Sequence, residues 1–154
     1  MTTGPVPAAH PPRVVLVTGV SRYLGAQVAA RLAADPRIER VIGVDEREPA
    51  GDQATVLAGT VEFVQADLHT GAIGGMLVRE QVETVVHLAI VSAAEPSAGG
   101  RAAMKEQNVI GTMQLLAACQ HAPGIRKVVF RSSTAAYGAS FRDPAVFTEE
   151  TEPR

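Results

Sequence analysis

The sequence predicts an α/β fold in which a parallel sheet carries helices on both faces, and three observations point to it. Short, uninterrupted β-branched runs alternate with segments of helical period, the pattern of strands buried on both faces and their crossovers. A glycine-bearing turn joins the first such run to the first helical segment. Apolar residues make up 46% of the 154-residue chain and aromatics only 4%, a balance suited to layers of Val, Leu and Ala rather than to an aromatic sandwich core.

Each element follows in order. The opening MTTGPVPAAHPP, with prolines at 5, 7, 11 and 12, reads as a disordered leader over residues 1–12, and residues 13–154 as one domain. Val14 to Thr18 is the first strand, Ala26 to Ala34 the first helix, and Val41 to Asp45 a second strand closing on an acid. The polar stretch Glu46 to Gly59 holds at most a short helical turn around Gln53 to Leu57. Val61 to Ala66 is a third strand, Ile73 to Gln81 a helix, and Thr84 to Leu88 a fourth strand. Beyond a loop of small residues from Ser92 to Gly100 lies the longest helical pattern, Arg101 to His121, with Pro123 and Gly124 past its end. Val128 to Arg131 is the fifth strand, and everything from Ser132 onward reads as loop.

Right-handed crossovers then predict the strand order 3-2-1-4-5, a doubly wound parallel sheet. It reads as incomplete on its C-terminal side, because five parallel strands leave an open edge and the tail FTEETEPR ends on no recognisable element.

Charge and composition exclude several function classes. Fourteen basic residues face sixteen acidic ones with no Lys/Arg stripe, which argues against nucleic acid as a partner. One cysteine, Cys119, sits in an apolar run and reads as a buried thiol, not part of a disulfide framework. The leader lacks a secretory pattern, and no apolar run approaches the roughly 20 residues that span a membrane. A soluble, cytoplasmic protein is expected.

A pyrophosphate docks most easily at a helix N-terminus, where unpaired N–H groups and the helix dipole meet it and glycines let the backbone approach. Gly19 and Gly25 stand where that chemistry needs them. Asp45 follows twenty residues after Gly25, where a carboxylate can accept hydrogen bonds from ribose hydroxyls and repel a 2′-phosphate. The expected cofactor is therefore NAD, with NADP second, since Arg47 could instead welcome a phosphate.

The residues TGVSRYLG, Thr18 to Gly25, resemble the TGxxGxxG turn of extended short-chain dehydrogenase/reductases, the NAD-dependent epimerase/dehydratase group. Arg22 stands where that family has its middle glycine. Further stretches are similar in the family's order: Asp67-Leu68, His87 to Ala89, NVIGTMQLL from Asn108, and SSTAAYG from Ser132. The resemblance implies a Rossmann-like fold and cofactor contacts from Gly19, Ser21, Arg22, Tyr23, Leu24, Gly25, Asp45, Asp67, Leu68, Leu88, Ala89 and Asn108. It implies an oxidoreductase acting on a nucleotide sugar, with this chain as its cofactor-binding part. Each residue also has a plainer role: Asp67 as a helix cap, His87 as a core histidine, Asn108 as a polar helix residue.

In that family a tyrosine, its pKa lowered by a lysine four residues later, moves the proton that accompanies hydride transfer, and a Ser or Thr hydroxyl aligns the reacting oxygen. By resemblance Ser133 is that hydroxyl, with a strand-end hydroxyl bonding its own loop as the plainer reading. Tyr137 is followed four residues later by Phe141, so it is not the base, and the tyrosine–lysine pair and the substrate lobe are expected beyond Arg154. The resemblance also implies a homodimer through the 101–121 helix. A non-catalytic NAD(P)-binding sensor of the same fold is the alternative.

Overall fold

Side chains of a strand alternate between its two faces, so a strand buried on both sides must be apolar at every position. The first strand meets that demand from Val14 to Val17 and closes on the buried hydroxyl of Thr18. In a computed structural model, which describes residues 10–91, 100–138, 140–143 and 146–153, β1 (Val14–Thr18) is buried throughout. Val15 and Val17 point into one core with Val20, Ala26 and Ala29, while Leu16 points into the other with Ile42, Ile73, Leu77 and Leu115.

The remaining elements alternate as expected: α1 (Tyr23–Ala33), β2 (Arg40–Asp45), α2 (Asp52–Leu57), β3 (Glu62–Gln65), α3 (Ala72–Arg79), β4 (Thr84–His87), α4 (Gly100–His121) and β5 (Lys127–Phe130). All four strand pairs are parallel, in the order β3-β2-β1-β4-β5. Helices α1 and α2 pack together, as do α3 and α4, and the two cores place the pairs on opposite faces of the sheet. Cys119 is buried, and burial pushes its thiol pKa up. Among the described residues, no helix is long and apolar enough to cross a membrane.

Most bounds fall within two residues of the sequence reading, and the larger differences lie at the start of α1 and after β5. Helix α1 starts at Tyr23, three residues before Ala26, because the turn already carries helical backbone through Gly25. Residues Thr134–Tyr137 form a 3-10 helix where a loop was expected, started by the Ser133 side chain accepting from the Ala135 N–H. The turn around Gln53 is a short helix, α2. His10 to Pro12 of the expected leader have no regular structure; its first nine residues, and the expected loop at 92–99, lie outside the described residues.

Two glycines set how β1 hands the chain to α1. Gly19 has φ +82°, and a Cβ there would lie 2.8 Å from the Ala89 nitrogen. A Cβ on Gly25 would land on the Gly19 carbonyl, backbone that cannot move without breaking the turn. Gly71 has nothing near its Cβ direction and φ −65°. Urea unfolding should therefore separate two substitutions: Gly25→Ala should cost about 3 kcal/mol or more, at the upper end of overpacking penalties, and Gly71→Ala should change stability by less than about 0.5 kcal/mol, as surface changes do.

Candidate functional site

In a doubly wound sheet, ligand crevices open at the carboxyl ends of the strands where the winding reverses. Here β1 lies between β2 and β4, so the reversal falls between β1 and β4. A shallow cleft open to solvent, with a cavity volume of about 50 Å³, lies at that end of the sheet and is lined by Arg22, Asp45, Leu68, Ala89 and Asn108 together with His69 and His87. Five of the residues singled out from sequence thus share one cleft.

The cleft floor rests on a buried hydroxyl. Thr18 Oγ1 accepts from the Leu88 N–H at 3.1 Å and the Ala89 N–H at 3.2 Å, so its own proton is left for His87 Nδ1, 2.8 Å away. His87 then carries its proton on Nε2 and donates it to Thr112 Oγ1 at 3.1 Å. That makes His87, 1% exposed, a satisfied neutral core histidine, and burial lowers its pKa from 6.5 to about 4. Phe130 packs edge-on against its ring at 5.6 Å.

Above this floor runs the glycine turn. Arg22 is the N-cap of α1 with φ −107° and ψ 156°, an ordinary extended conformation, so a side chain occupies the family's middle-glycine position without backbone strain. No side chain caps α1, which leaves the first N–H groups of the helix, at Tyr23 and Leu24, available to a ligand. Both side chains project outward, 71% and 42% exposed. Asp45 faces the turn from the end of β2: its Oδ2 accepts from the Ser21 N–H at 2.9 Å and the Ser21 hydroxyl at 2.7 Å. Asp45 Oδ1 keeps only a long contact of 3.5 Å from the Arg47 N–H.

Other candidates take different places. Asp67 is not a cap: α3 starts at Gly71 without a side-chain acceptor. Its carboxylate instead accepts from the His69 N–H at 2.8 Å and meets His69 Nδ1 at 2.7 Å, and these contacts, led by the backbone one, hold it below the usual range. Leu68 and Leu88 are largely core residues. Asn108 is more than a polar helix residue, since its amide brackets Val91, accepting from its N–H and donating to its carbonyl, each at 2.9 Å. Ser133 is exposed outside the cleft and bonds its own loop, and Tyr137 stacks on Phe147 at 4.4 Å.

Thr18, Thr112 and His69 were not legible as site residues. Thr18 and Thr112 lie inside stretches quoted for the resemblance, but nothing in those stretches marks their hydroxyls as partners of His87, and His69 is recognisable only as the second residue after Asp67. Glu46, Asp67 and His69 each offer a ligand atom within 4.8 Å of the others, but the two carboxylates are exposed and already engaged locally.

The His87 arrangement has a definite pH signature. Because the folded pKa lies below the unfolded one, the unfolded chain binds more protons, and folding stability falls as pH drops from about 6.5 towards 4. The contribution approaches roughly 3 kcal/mol at the acid end, from about 1.4 kcal/mol per pKa unit. A His87→Gln variant, followed by urea unfolding between pH 7 and 4, should show a shallower decline than the parent; parallel curves would exclude a neutral buried His87.

Comparison with known proteins agrees with the geometry. The model of the NAD dependent epimerase/dehydratase family matches residues 15–154. An uncharacterised protein of Mycobacterium tuberculosis is 49% identical over 147 residues, covering 94% of this chain and 39% of that protein. A UDP-glucose 4-epimerase of Mycolicibacterium smegmatis is 32% identical over 142 residues, covering 90% of this chain and 44% of that enzyme. Among solved structures, the Thermus thermophilus UDP-glucose 4-epimerase complex with NAD is similar in fold, with a TM-score of 0.72 at 24% identity over 92% of this chain and 44% of that one. The chain spans less than half the length of these relatives. With its 3-2-1-4-5 sheet, its glycine turn and the family match over nearly its whole length, this chain belongs to the NAD-dependent epimerase/dehydratase family.

Proposed function

We propose that this chain is the cofactor-binding part of an NAD-dependent oxidoreductase that epimerises or dehydrates a nucleotide sugar. One observation carries the reading. Ser21 holds Asp45 by one oxygen beside an uncapped helix start whose glycines admit no Cβ, leaving Asp45 Oδ1 for a ribose hydroxyl. Relatives support the substrate class, since UDP-glucose 4-epimerases recur among them.

In this reading Gly19, Ser21, Arg22, Tyr23, Leu24 and Gly25 cradle the pyrophosphate, Asp45 takes the adenosine ribose, and Asp67 and Leu68 flank the adenine. Leu88 and Ala89 carry the backbone past the cofactor, and Asn108 fixes that loop through Val91. When bound, the nicotinamide supplies a reversible hydride acceptor. Ser133 aligns the reacting oxygen by a hydrogen bond. Neither Tyr23 nor Tyr137 has a lysine four residues on, the positions being Gln27 and Phe141, so the proposal assigns proton transfer and substrate binding to a part of the protein following Arg154. Alone, the chain binds cofactor without turnover.

Asp45 favours NAD, because its charge opposes a 2′-phosphate. Arg22 at the family's middle-glycine position supports the second reading, a non-catalytic NAD(P) sensor. We also assign a cytoplasmic setting and a homodimer formed through α4, where Val109, Met113 and Leu116 recur at helical spacing and are 47%, 64% and 40% exposed.

Calorimetry of NAD binding tests the central reading. Asp45→Ala should weaken NAD by roughly tenfold, as loss of a charge-assisted hydrogen bond does, and should narrow the preference over NADP. Unchanged affinity would remove the ribose contact, and no NAD binding at all would overturn the cofactor reading. A nucleotide sugar turned over by the longer protein, and lost on Ser133→Ala, separates the enzyme from the sensor. In sedimentation, Met113→Glu should convert dimer to monomer; a monomeric parent would refute the α4 pairing.

A further inference from the structure

Arg22 and Arg131, far apart in sequence, reach the same atom. Arg22 Nη1 donates to the Ile90 carbonyl at 3.2 Å, and Arg131 Nη2 donates to that same oxygen at 3.1 Å. Ile90 lies just past β4, Arg22 occupies the N-cap position of α1, and Arg131 follows β5 with its N–H bonded to the His87 carbonyl at 3.1 Å. Three elements around the crevice mouth therefore meet at one carbonyl.

Charge is unbalanced there. Two guanidiniums on one oxygen repel each other, and each retains several N–H donors that the shared carbonyl does not use. Both side chains belong to half-buried residues. Arg40, also half-buried, is matched by Glu62 at 2.7 Å and Glu80 at 3.1 Å, whereas among the described residues no carboxylate pairs with Arg22 or Arg131. Partly desolvated cations without a counter-charge are costly unless an anion completes them, and paired forks suit phosphate oxygens.

We propose that Arg22 and Arg131 form a two-guanidinium clamp for a diphosphate, with the Ile90 carbonyl holding both forks in place before the anion arrives. Because Arg22 sits at the uncapped start of α1, the diphosphate is assigned to the dinucleotide. That assignment rests on the cofactor reading above; the clamp itself does not.

Calorimetry with inorganic pyrophosphate tests the clamp directly, with NAD and UDP identifying the source of the anion. Pyrophosphate should bind the whole chain, weaken about tenfold in Arg131→Gln and in Arg22→Gln, and weaken less in Arg131→Lys, which keeps the charge but loses the fork. NAD should weaken with pyrophosphate while UDP does not. Pyrophosphate binding that is undetectable in the parent, or equal in the parent and both Arg131 variants, overturns the clamp. If Arg131→Gln does not fold, Arg131→Lys decides alone, and parent-like affinity for pyrophosphate then refutes it. Weakening of UDP alone overturns the dinucleotide assignment. Absent NAD binding with pyrophosphate binding still dependent on Arg131 refutes the cofactor reading and leaves the clamp standing.

Discussion

The Thr18 hydroxyl is the contact on which the cleft depends. Wholly buried at the end of β1, it takes the N–H groups of Leu88 and Ala89 and gives its proton to His87. Those two N–H groups fall just past the end of β4, so without Thr18 the Leu88 N–H would be buried and unpaired at a cost of about 1–3 kcal/mol, and the half-buried Ala89 N–H would lose its partner too. One side chain thereby bends the β4 loop over the glycine turn and fixes the histidine beneath it. The close approach of Gly19 to Ala89 follows from the same bend.

Much of this architecture could be read from residues alone. Short β-branched runs such as VVLVT, apolar up to a closing threonine, suit strands covered on both faces, and the glycine turn marked where the first strand becomes a helix. Asp45 was recognisable from its place at the end of the second strand, twenty residues after Gly25, and its contact with Ser21 was not. What stayed illegible were contacts between segments distant in sequence. Thr18 with His87, Asn108 with Val91, and Arg131 with Ile90 are 69, 17 and 41 residues apart, and neither period nor motif marks them. Asp67 invited reading as a cap because Asp before a helix usually caps it; a neighbouring histidine competed for the carboxylate and won.

Arg22 shows how one departure from a family pattern can be accommodated. A middle glycine in such turns spares room for phosphate, yet positive φ is needed here at Gly19 and not at residue 22. The backbone thus tolerates a long side chain, which leaves the helix axis and crosses to the Ile90 carbonyl. The change adds a cation at the crevice mouth while the first N–H groups of α1 stay uncapped. Steric permission and electrostatic consequence have different origins at one position: the first comes from Gly19 and Gly25, the second from the guanidinium.

Ordered cofactor would show whether these parts act together. A crystal structure of the chain grown with NAD should place the pyrophosphate over the Tyr23 and Leu24 N–H groups, with a ribose hydroxyl on Asp45 Oδ1 and the Ser21 contact retained. NAD bound elsewhere, or a pyrophosphate that stays clear of the α1 N-terminus at saturating cofactor, would contradict a dinucleotide site at the β1–β4 crevice.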